Sequence, residues 1–443
     1  MGAGLSRDTR RPATLDGWLA YLETLHPKAI AMGLDRVRAV AQRMGIAPAC
    51  PVITVTGTNG KGSTCAMLDA ICRGAGYRCG VYSSPHLARY NERVRIDGRE
   101  ADDAALVAAF NAVEDARTGG DGPVPLTYFE FGTLAALRLF GAAELDVMIL
   151  EVGLGGRLDA VNIVDADVAV VTSVDLDHMD YLGPTREDIG REKAGIFRAG
   201  RPAVCAEPSP PAALVAHAAA IGAPLTLAGR DYGHVAEGAQ WQYRGPGGSR
   251  YGLPCPALRG AHQLANAATA LAALGHLQSR LPVSAGAVRD GLQRVELPGR
   301  FQVLPGRPTI VLDVAHNPHA ARVLAAAAGT MGFHPETRAV FGMYADKDIV
   351  GVIAAMRPRI DRWYVATLPG PRGAGATAIA ALLGEAGVPA ASVRVFDDVG
   401  AAVAAAREDA VEADRIIIFG SFLTVGAALA ALRRGTSRAP RHG

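Results

Sequence analysis

The sequence predicts an α/β protein built on two mostly parallel sheets, and three observations carry that expectation. Short apolar runs at Val52–Thr56, Leu145–Leu150 and Asp167–Thr172 alternate with helical patterns, as strands buried on both faces do. A second series, Thr309–Ala315, Arg338–Phe341, Arg362–Ala366, Val393–Phe396 and Arg415–Phe419, starts after a proline-marked stretch, each run followed by an alanine-rich helix. The chain has 443 residues, beyond the size at which a single core usually stops growing. Two domains are therefore expected, at 1–297 and 298–443, the second smaller and doubly wound.

The N-terminal elements follow in order. Residues 1–12 read as a loose tail, and Leu15–Met44 as helical, interrupted at His26-Pro27. The strand Val52–Thr56 runs into Gly57-Thr-Asn-Gly-Lys-Gly-Ser63 and then a helix that stops at Gly74-Ala-Gly76. A second strand, Arg78–Tyr82, leads into Ser83-Ser-Pro-His-Leu87. Arg89, Arg93, Arg95 and Arg99 alternate with acids, which reads as solvated surface. Helices are expected near Asp102–Glu114 and from Thr127 to about Phe140, separated by a loop at Gly119–Pro125. A helix near Ala212–Ile221 precedes Tyr232–Tyr251, which suggests short antiparallel strands. His262 opens another helix, and Leu297-Pro-Gly-Arg300 with Pro305 and Pro308 reads as an interdomain hinge.

Composition excludes several classes. With 49% hydrophobic and 20% charged residues the chain is an ordinary globular protein. Its net charge of +2, from 45 basic and 43 acidic residues, provides no global field for nucleic acid or anionic membrane. No C-x-x-C pair occurs among the six cysteines, so they read as small core residues of a reducing compartment. No signal-peptide core follows Arg7, Arg10 and Arg11, and no apolar stretch of about 18 residues spans a bilayer. A cytoplasmic monomer acting on small molecules is expected.

The strand, glycine-rich loop and helix at 52–68 are built to hold phosphate. Backbone N–H groups converge on the anion, the helix N-terminus adds positive potential, Lys61 adds a full charge, and Ser63 can reach Mg²⁺. The loop departs from G-x-x-x-x-G-K-[ST], with Val at 55 and Gly62 between the lysine and the hydroxyl. In an open parallel sheet ligands sit beyond the carboxyl ends of strands, where Gly57, Ser84, Glu151 and His178 all fall.

The other candidates each have a plain reading and a chemical one. Glu151 either caps the Gly153–Gly156 turn or holds Mg²⁺, which wants oxygen ligands and keeps several waters. His178, after Asp175 and Asp177, is a surface histidine or a metal ligand, although imidazole is an unusual partner for magnesium. Lys193, judged from its neighbours, is a helix-surface charge. Arg300, Asp313 and His316 form hinge ion pairs, or else clamp phosphate and receive ribose hydroxyls or an amine. There is no G-x-S-x-G elbow and no cysteine–histidine pair, so bond formation would run through phosphoryl activation. A GTPase-like switch should carry Asp-x-x-Gly and Asn-Lys-x-Asp motifs, which are missing.

The motifs together resemble a known family. Gly57–Ser63, Ser83–Leu87, Tyr128-Phe-Glu-Phe131, Glu151–Asp159, Leu176-Asp-His178, Glu192–Ile196, His262–Asn266, Leu297–Phe301, Asp313–Pro318 and Asp346-Lys-Asp348 run in the order found in the Mur ligase superfamily. Within it they are most similar to the dihydrofolate synthase/folylpolyglutamate synthases. The resemblance implies a Mur-ligase-like P-loop ATPase domain followed by a Rossmann-like ligase domain. It implies that ATP lies on Thr58, Asn59, Gly60, Lys61, Gly62 and Ser63, with Asn266, Arg300 and Asp313. It implies Mg²⁺, taken as two ions with room for a monovalent cation, held by Ser63, Ser84, Glu151, His178 and a carbamylated Lys193.

By the same resemblance the pterin-bearing substrate would lie along Thr24, Leu25, His26 and Pro27, Thr127, Tyr128, Phe129 and Glu130, and Leu158, Asp159 and Ala160. His316 and Ser421 would receive glutamate, and Lys61, Lys193, His316 and Asp313 would carry catalysis. The implied reaction joins L-glutamate to dihydropteroate, giving dihydrofolate, and to folates such as tetrahydrofolate, through an acyl phosphate. A folylpolyglutamate synthase alone and another Mur-type amino-acid ligase are the alternatives. A cell-wall Mur ligase should carry a UDP-binding domain before its loop, and only 56 residues precede Gly57. Pro27 and Met32 stand where polar residues are expected, and Leu423 where bacterial relatives often have histidine.

Overall fold

The computed structural model describes residues 11–28, 30–120 and 122–437. Residues 1–10 of the expected tail and Asp121 of the expected loop lie outside them. The first sheet has the order β4-β3-β2-β5-β1-β6-β7-β8, with β1 Val52–Thr56, β2 Cys79–Tyr82, β3 Val94–Ile96, β4 Arg99–Glu100, β5 Val147–Glu151, β6 Val168–Val171, β7 Ala203–Cys205 and β8 Leu225–Leu227. Only the β2–β3 and β3–β4 pairings are antiparallel. Helices α1 Leu15–Leu25, α2 Asp35–Arg43, α3 Lys61–Gly74, α4 Asp103–Thr118, α5 Tyr128–Gly141, α6 Met179–Leu182, α7 Arg186–Ala194, α8 Ala212–Ile221, α9 His262–His276 and α10 Ala285–Arg294 accompany it.

All five residues of β1 are buried because both faces of the sheet are covered. Val52 faces one core with Met148 and Leu150, whereas Ile53 and Val55 face the other with Ile149 and Val170. This alternation fixes register, since a one-residue slip would exchange the two sets of side chains. β1 lies between β5 and β6, so the loop after it opens at the switch point of the sheet. A capping box at Thr127 and Glu130 starts α5, an arrangement worth about 1 kcal/mol. The antiparallel strands β9 Gly233–Glu237, β10 Gln240–Arg244 and β11 Arg250–Pro254 form the small sheet expected from that stretch.

The C-terminal sheet has the order β12-β13-β17-β14-β15-β16, formed by β12 Gln302–Leu304, β13 Thr309–Leu312, β14 Thr337–Phe341, β15 Arg362–Ala366, β16 Val393–Phe396 and β17 Arg415–Phe419. Helices α11 Pro318–Gly329, α12 Ile349–Met356, α13 Ala376–Glu385, α14 Val399–Glu408 and α15 Phe422–Ser437 pack on it. Here too odd and even residues separate, with Val311, Ile417 and Phe419 in one core and Ile310, Ile416 and Ile418 in the other.

Five strands escape the sequence reading: β3, β4, β7, β8 and β12. Each has only two or three residues, too short to display a period, and β3 and β4 lie inside the arginine-rich run. That run is not uniformly solvated. Val94 is fully buried, and Arg95 has an Nε atom enclosed without a hydrogen-bond partner. All six cysteines are free, four are buried, Cys50 is half-buried, and Cys255 is exposed rather than in a core. Among the described residues no helix is long and apolar enough to cross a membrane.

Candidate active site

The loop after β1 shows why two of its residues are glycines. A Cβ on Gly57 would lie 1.9 Å from Thr172 Oγ1, and one on Gly60 would lie 2.8 Å from Asn266 Oδ1. Both positions also have positive φ, +154° and +89°. The close approach to β6 lets Thr172 Oγ1 donate to the Asn59 carbonyl at 2.6 Å and Ser173 Oγ accept from the Asn59 N–H at 2.9 Å. These two bonds tie the loop to the end of β6. Lys61 Nζ curls back onto the carbonyls of Gly57 and Thr58, at 2.8 and 3.4 Å.

A cavity of about 320 Å³ spreads over this loop, and every expected nucleotide and metal residue lines it. Thr58 through Ser63 form its floor, Ser84, Glu151 and Lys193 one side, and Asn266, Arg300, Asp313, His178 and His316 the rest. The second domain closes the roof. Arg300 stacks over the Phe422 ring at 4.8 Å and sits near Gly62. Asp313 accepts from the backbone N–H groups of Phe301 and Ala315, both at 2.8 Å, so its carboxylate holds the hinge.

Glu151 is buried, and burial raises its carboxyl pKa, while Lys61, the Ser84 N–H at 3.2 Å and Arg300 oppose that rise. A carboxylate held in that position is relieved by a cation. Among the described residues no three His, Cys, Asp or Glu side chains cluster as a ready metal cage. The hard oxygens of Ser63, Ser84 and Glu151 instead suit Mg²⁺, which takes few protein ligands and fills its octahedron with water and phosphate oxygens. The residues therefore fit a divalent ion bound together with a nucleotide.

Lys193 is not the surface charge its neighbours suggested. Only 3% of it is exposed, and among the described residues no carboxylate stands at ion-pair distance from its amine. Burial, with the charge of Lys61 adding to it, pulls its pKa down to about 7. His178 takes a left-handed backbone, φ +52°, and burial lowers its pKa to about 4. His316 is lowered to about 4 by burial as well, so both imidazoles are neutral at pH 7. The His316 Nδ1 lies 2.8 Å from the Val314 carbonyl, which can only accept. Nδ1 therefore carries the proton, and Nε2 keeps a lone pair, 3.9 Å from Asp177 Oδ2.

A second cavity, of about 310 Å³, adjoins the first and shares Ser84, Pro85, Gly153, Leu154, His178, His316 and Phe422 with it. Thr127, Phe129, Glu130, Leu158, Asp159 and Ala160, expected along the pterin, and Ser421, expected at the glutamate, are among its lining residues. Several of these have structural work too: Glu130 accepts from the Thr127 N–H and pairs with Arg36 at 2.9 Å. Asp159 accepts from the N–H groups of Leu154 and Val161, and burial raises its pKa to about 7. Ser421 Oγ accepts from the Thr424 N–H.

Thr24, Leu25, His26, Pro27 and Tyr128 line neither cavity. α1 ends at Leu25 and Thr24 turns back to the Tyr21 carbonyl, so the wall is built from the following segment, Ile30–Gly33. Sequence reasoning gave no role to Arg93, Tyr344, Lys347 and Arg372 of this cavity, or to Asp177 of the first. Lys347 and Asp177 form a part-buried ion pair at 2.6 Å across the two domains. Although burial alone would raise it, the Asp177 carboxyl is held well below the usual range by His178, which is protonated in the acid range where this carboxyl titrates, by the ammonium of Lys347, and by His316, protonated there as well. The signal for these residues was their place at strand ends and in quoted motifs.

A phosphate loop at the switch point, a buried carboxylate beside it and a second α/β domain over both define an ATP-dependent ligase of the Mur type. The description "Mur ligase middle domain" matches residues 55–274, and "Mur ligase, glutamate ligase domain" matches residues 299–422. The chain is 48% identical over 422 residues to the dihydrofolate synthase/folylpolyglutamate synthase of Escherichia coli K12, covering 95% of this chain and 96% of that protein. It is 43% identical to the Haemophilus influenzae protein of the same name, over 92% and 95% of the two chains.

Among solved structures, E. coli FolC in complex with DHPP and ADP superimposes with a TM-score of 0.90 at 48% identity, over 96% of this chain and 99% of that one. A bifunctional folylpolyglutamate synthase/dihydrofolate synthase with Mn, AMPPNP and L-glutamate bound gives a TM-score of 0.87 at 50% identity, over 95% and 98%. This chain belongs to the dihydrofolate synthase/folylpolyglutamate synthase family.

Proposed function

We propose that this protein joins the α-amine of L-glutamate to the carboxylate of dihydropteroate and of folates, using ATP and a divalent cation. The observation that carries the reading is the continuity of the two cavities. A flat aromatic substrate held between Phe129, Leu154 and Leu158 can project its carboxylate past Ser84 toward the phosphate loop. The named relatives, and the DHPP, nucleotide, Mn and glutamate in their structures, support the same assignment.

In this reading the substrate carboxylate attacks the γ-phosphorus, ADP leaves, and the amine displaces phosphate from the acyl phosphate. The loop amides and Lys61 hold the β- and γ-phosphates, while Arg300 neutralises charge from the opposite side. Mg²⁺ held by Ser63, Ser84, Glu151 and His178 would screen the phosphate oxygens from the incoming carboxylate. Lys193, neutral about half the time at pH 7, can react with CO₂ to give a carbamate that adds a carboxylate-like oxygen to that set. The free Nε2 of His316 is placed to accept a hydrogen bond from the glutamate amine. Ser421 would hold a glutamate carboxylate, and Asn266 the nucleotide. Closure excludes water that would hydrolyse the acyl phosphate.

We put the domain boundary between residues 297 and 298, and take the protein to act as a cytoplasmic monomer without nucleic-acid or membrane partners. The test is phosphate release with ATP in the presence and absence of dihydropteroate and glutamate. Release requiring both, with dihydrofolate as product, supports the assignment, and turnover independent of glutamate defeats it.

A further inference from the structure

We infer that Asn317 is a positioning residue whose side-chain amide N–H groups clasp the phosphate loop to the C-terminal domain and keep ATP use coupled to amide formation. The inference rests on the ligase reading. Asn317 is 4% exposed and caps α11, its Oδ1 accepting from the Ala320 N–H at 2.9 Å. That bond fixes the orientation of the amide, so Nδ2 must point the other way, across the domain interface.

There Nδ2 donates to Asn59 Oδ1 at 3.2 Å and to Asp177 Oδ2 at 3.3 Å, while Asn59 Nδ2 returns a bond to Asn317 Oδ1 at 3.4 Å. Asn59 belongs to the phosphate loop and is pinned by Thr172 and Ser173 through its backbone, which leaves only its side chain to meet the second domain. Asp177 adjoins His178, and Lys347 of the second domain grips its other oxygen at 2.6 Å. One side chain thus reaches the loop that would hold ATP and the carboxylate beside the metal-binding histidine, while standing on the domain that would deliver glutamate.

A helix cap needs only Oδ1. The two Nδ2 bonds serve no helix, and one of them ends on the part-buried carboxylate of Asp177, a charged acceptor that makes the bond stronger than a neutral one. Their effect is to make closure depend on a correctly seated loop. When closure is incomplete, water attacks the acyl phosphate, its oxygen replacing phosphate on the carbonyl carbon. Free carboxylate and inorganic phosphate are returned, ATP has been consumed, and no glutamate has been joined.

The test is Asn317→Ser, which retains a capping oxygen and removes Nδ2. Phosphate released per amide formed is measured with saturating dihydropteroate and glutamate, together with the KM for ATP and the thermal midpoint. Loss of a hydrogen bond to a charged acceptor shifts closure by about tenfold, so the phosphate-to-amide ratio should rise at least about threefold. The ATP KM and the midpoint should stay near wild type, because neither the loop amides nor the cap is altered. Asn317→Asp, which keeps the cap but sets a carboxylate against Asp177, should uncouple further. A wild-type ratio in both variants overturns the inference, as does a rate loss explained wholly by a raised ATP KM. Failure of the ligase reading is distinct, since there the wild-type enzyme itself releases phosphate without forming an amide.

Discussion

Replacing Lys193 by alanine tests a lysine that the fold has enclosed beside the phosphate loop. The buried amine has its pKa pulled from the ordinary 10.5 to about 7. At pH 7 about half of it is neutral, against about one part in 3,000 for a free lysine, and only the neutral amine reacts with CO₂. Between pH 7 and 10.5 the unfolded chain holds a proton on this lysine that the folded chain has shed. Folding stability therefore rises with pH through that window and is lowest below pH 7.

From pH 6 to pH 9, in bicarbonate-free buffer, the lysine should contribute a gain of roughly 2–3 kcal/mol that Lys193→Ala lacks. Urea unfolding of both proteins at the two pH values measures the difference. In the ligase assay the variant should lose most activity and regain part of it with formate or acetate, which can replace a carbamate oxygen. Identical pH dependence in the two proteins would refute the burial argument. Full activity without added carboxylate would refute the role assigned to the amine.

Two further outcomes follow from the loop. Lys61→Ala should lower kcat at least about 100-fold while the protein stays folded, because the amides alone leave the transferring phosphoryl group under-neutralised. Near-normal turnover in a coupled ADP-release assay would contradict this. Gly57→Ala must push a methyl into Thr172 Oγ1 at 1.9 Å and should cost more than about 3 kcal/mol, seen as a lowered denaturation midpoint and loss of nucleotide binding. A stable variant that still binds ATP would show that the loop does not need its contact with β6.

Strong, long patterns were readable in the chain itself. β1, β5, β6, β13, β14 and β17 have four or five residues with buried side chains on both faces, and their apolar runs stand out. The glycine-lysine turn declared its chemistry because spacing around a phosphate is local. The three-residue strands β7, β8 and β12 carried no such signal, since they are strands only through the neighbours they pair with.

The site divides in the same way. Lys61, Ser63 and Glu151 were identifiable because each lies at or just after the end of a strand whose direction the sequence reveals. The wall built by Ile30–Gly33, the clasp from Asn59 through Asn317 and Asp177 to Lys347, and the neutral state of His316 were not identifiable in that way. They depend on groups as far as 258 positions apart being brought within hydrogen-bond reach. Lys193 shows the boundary most plainly. Its neighbours in the chain describe a solvated cation, and the fold removes the water that would keep it charged. A sequence fixes which side chains exist and which faces of its segments are apolar, but the dielectric and charge around a buried amine are set only once distant segments have packed over it.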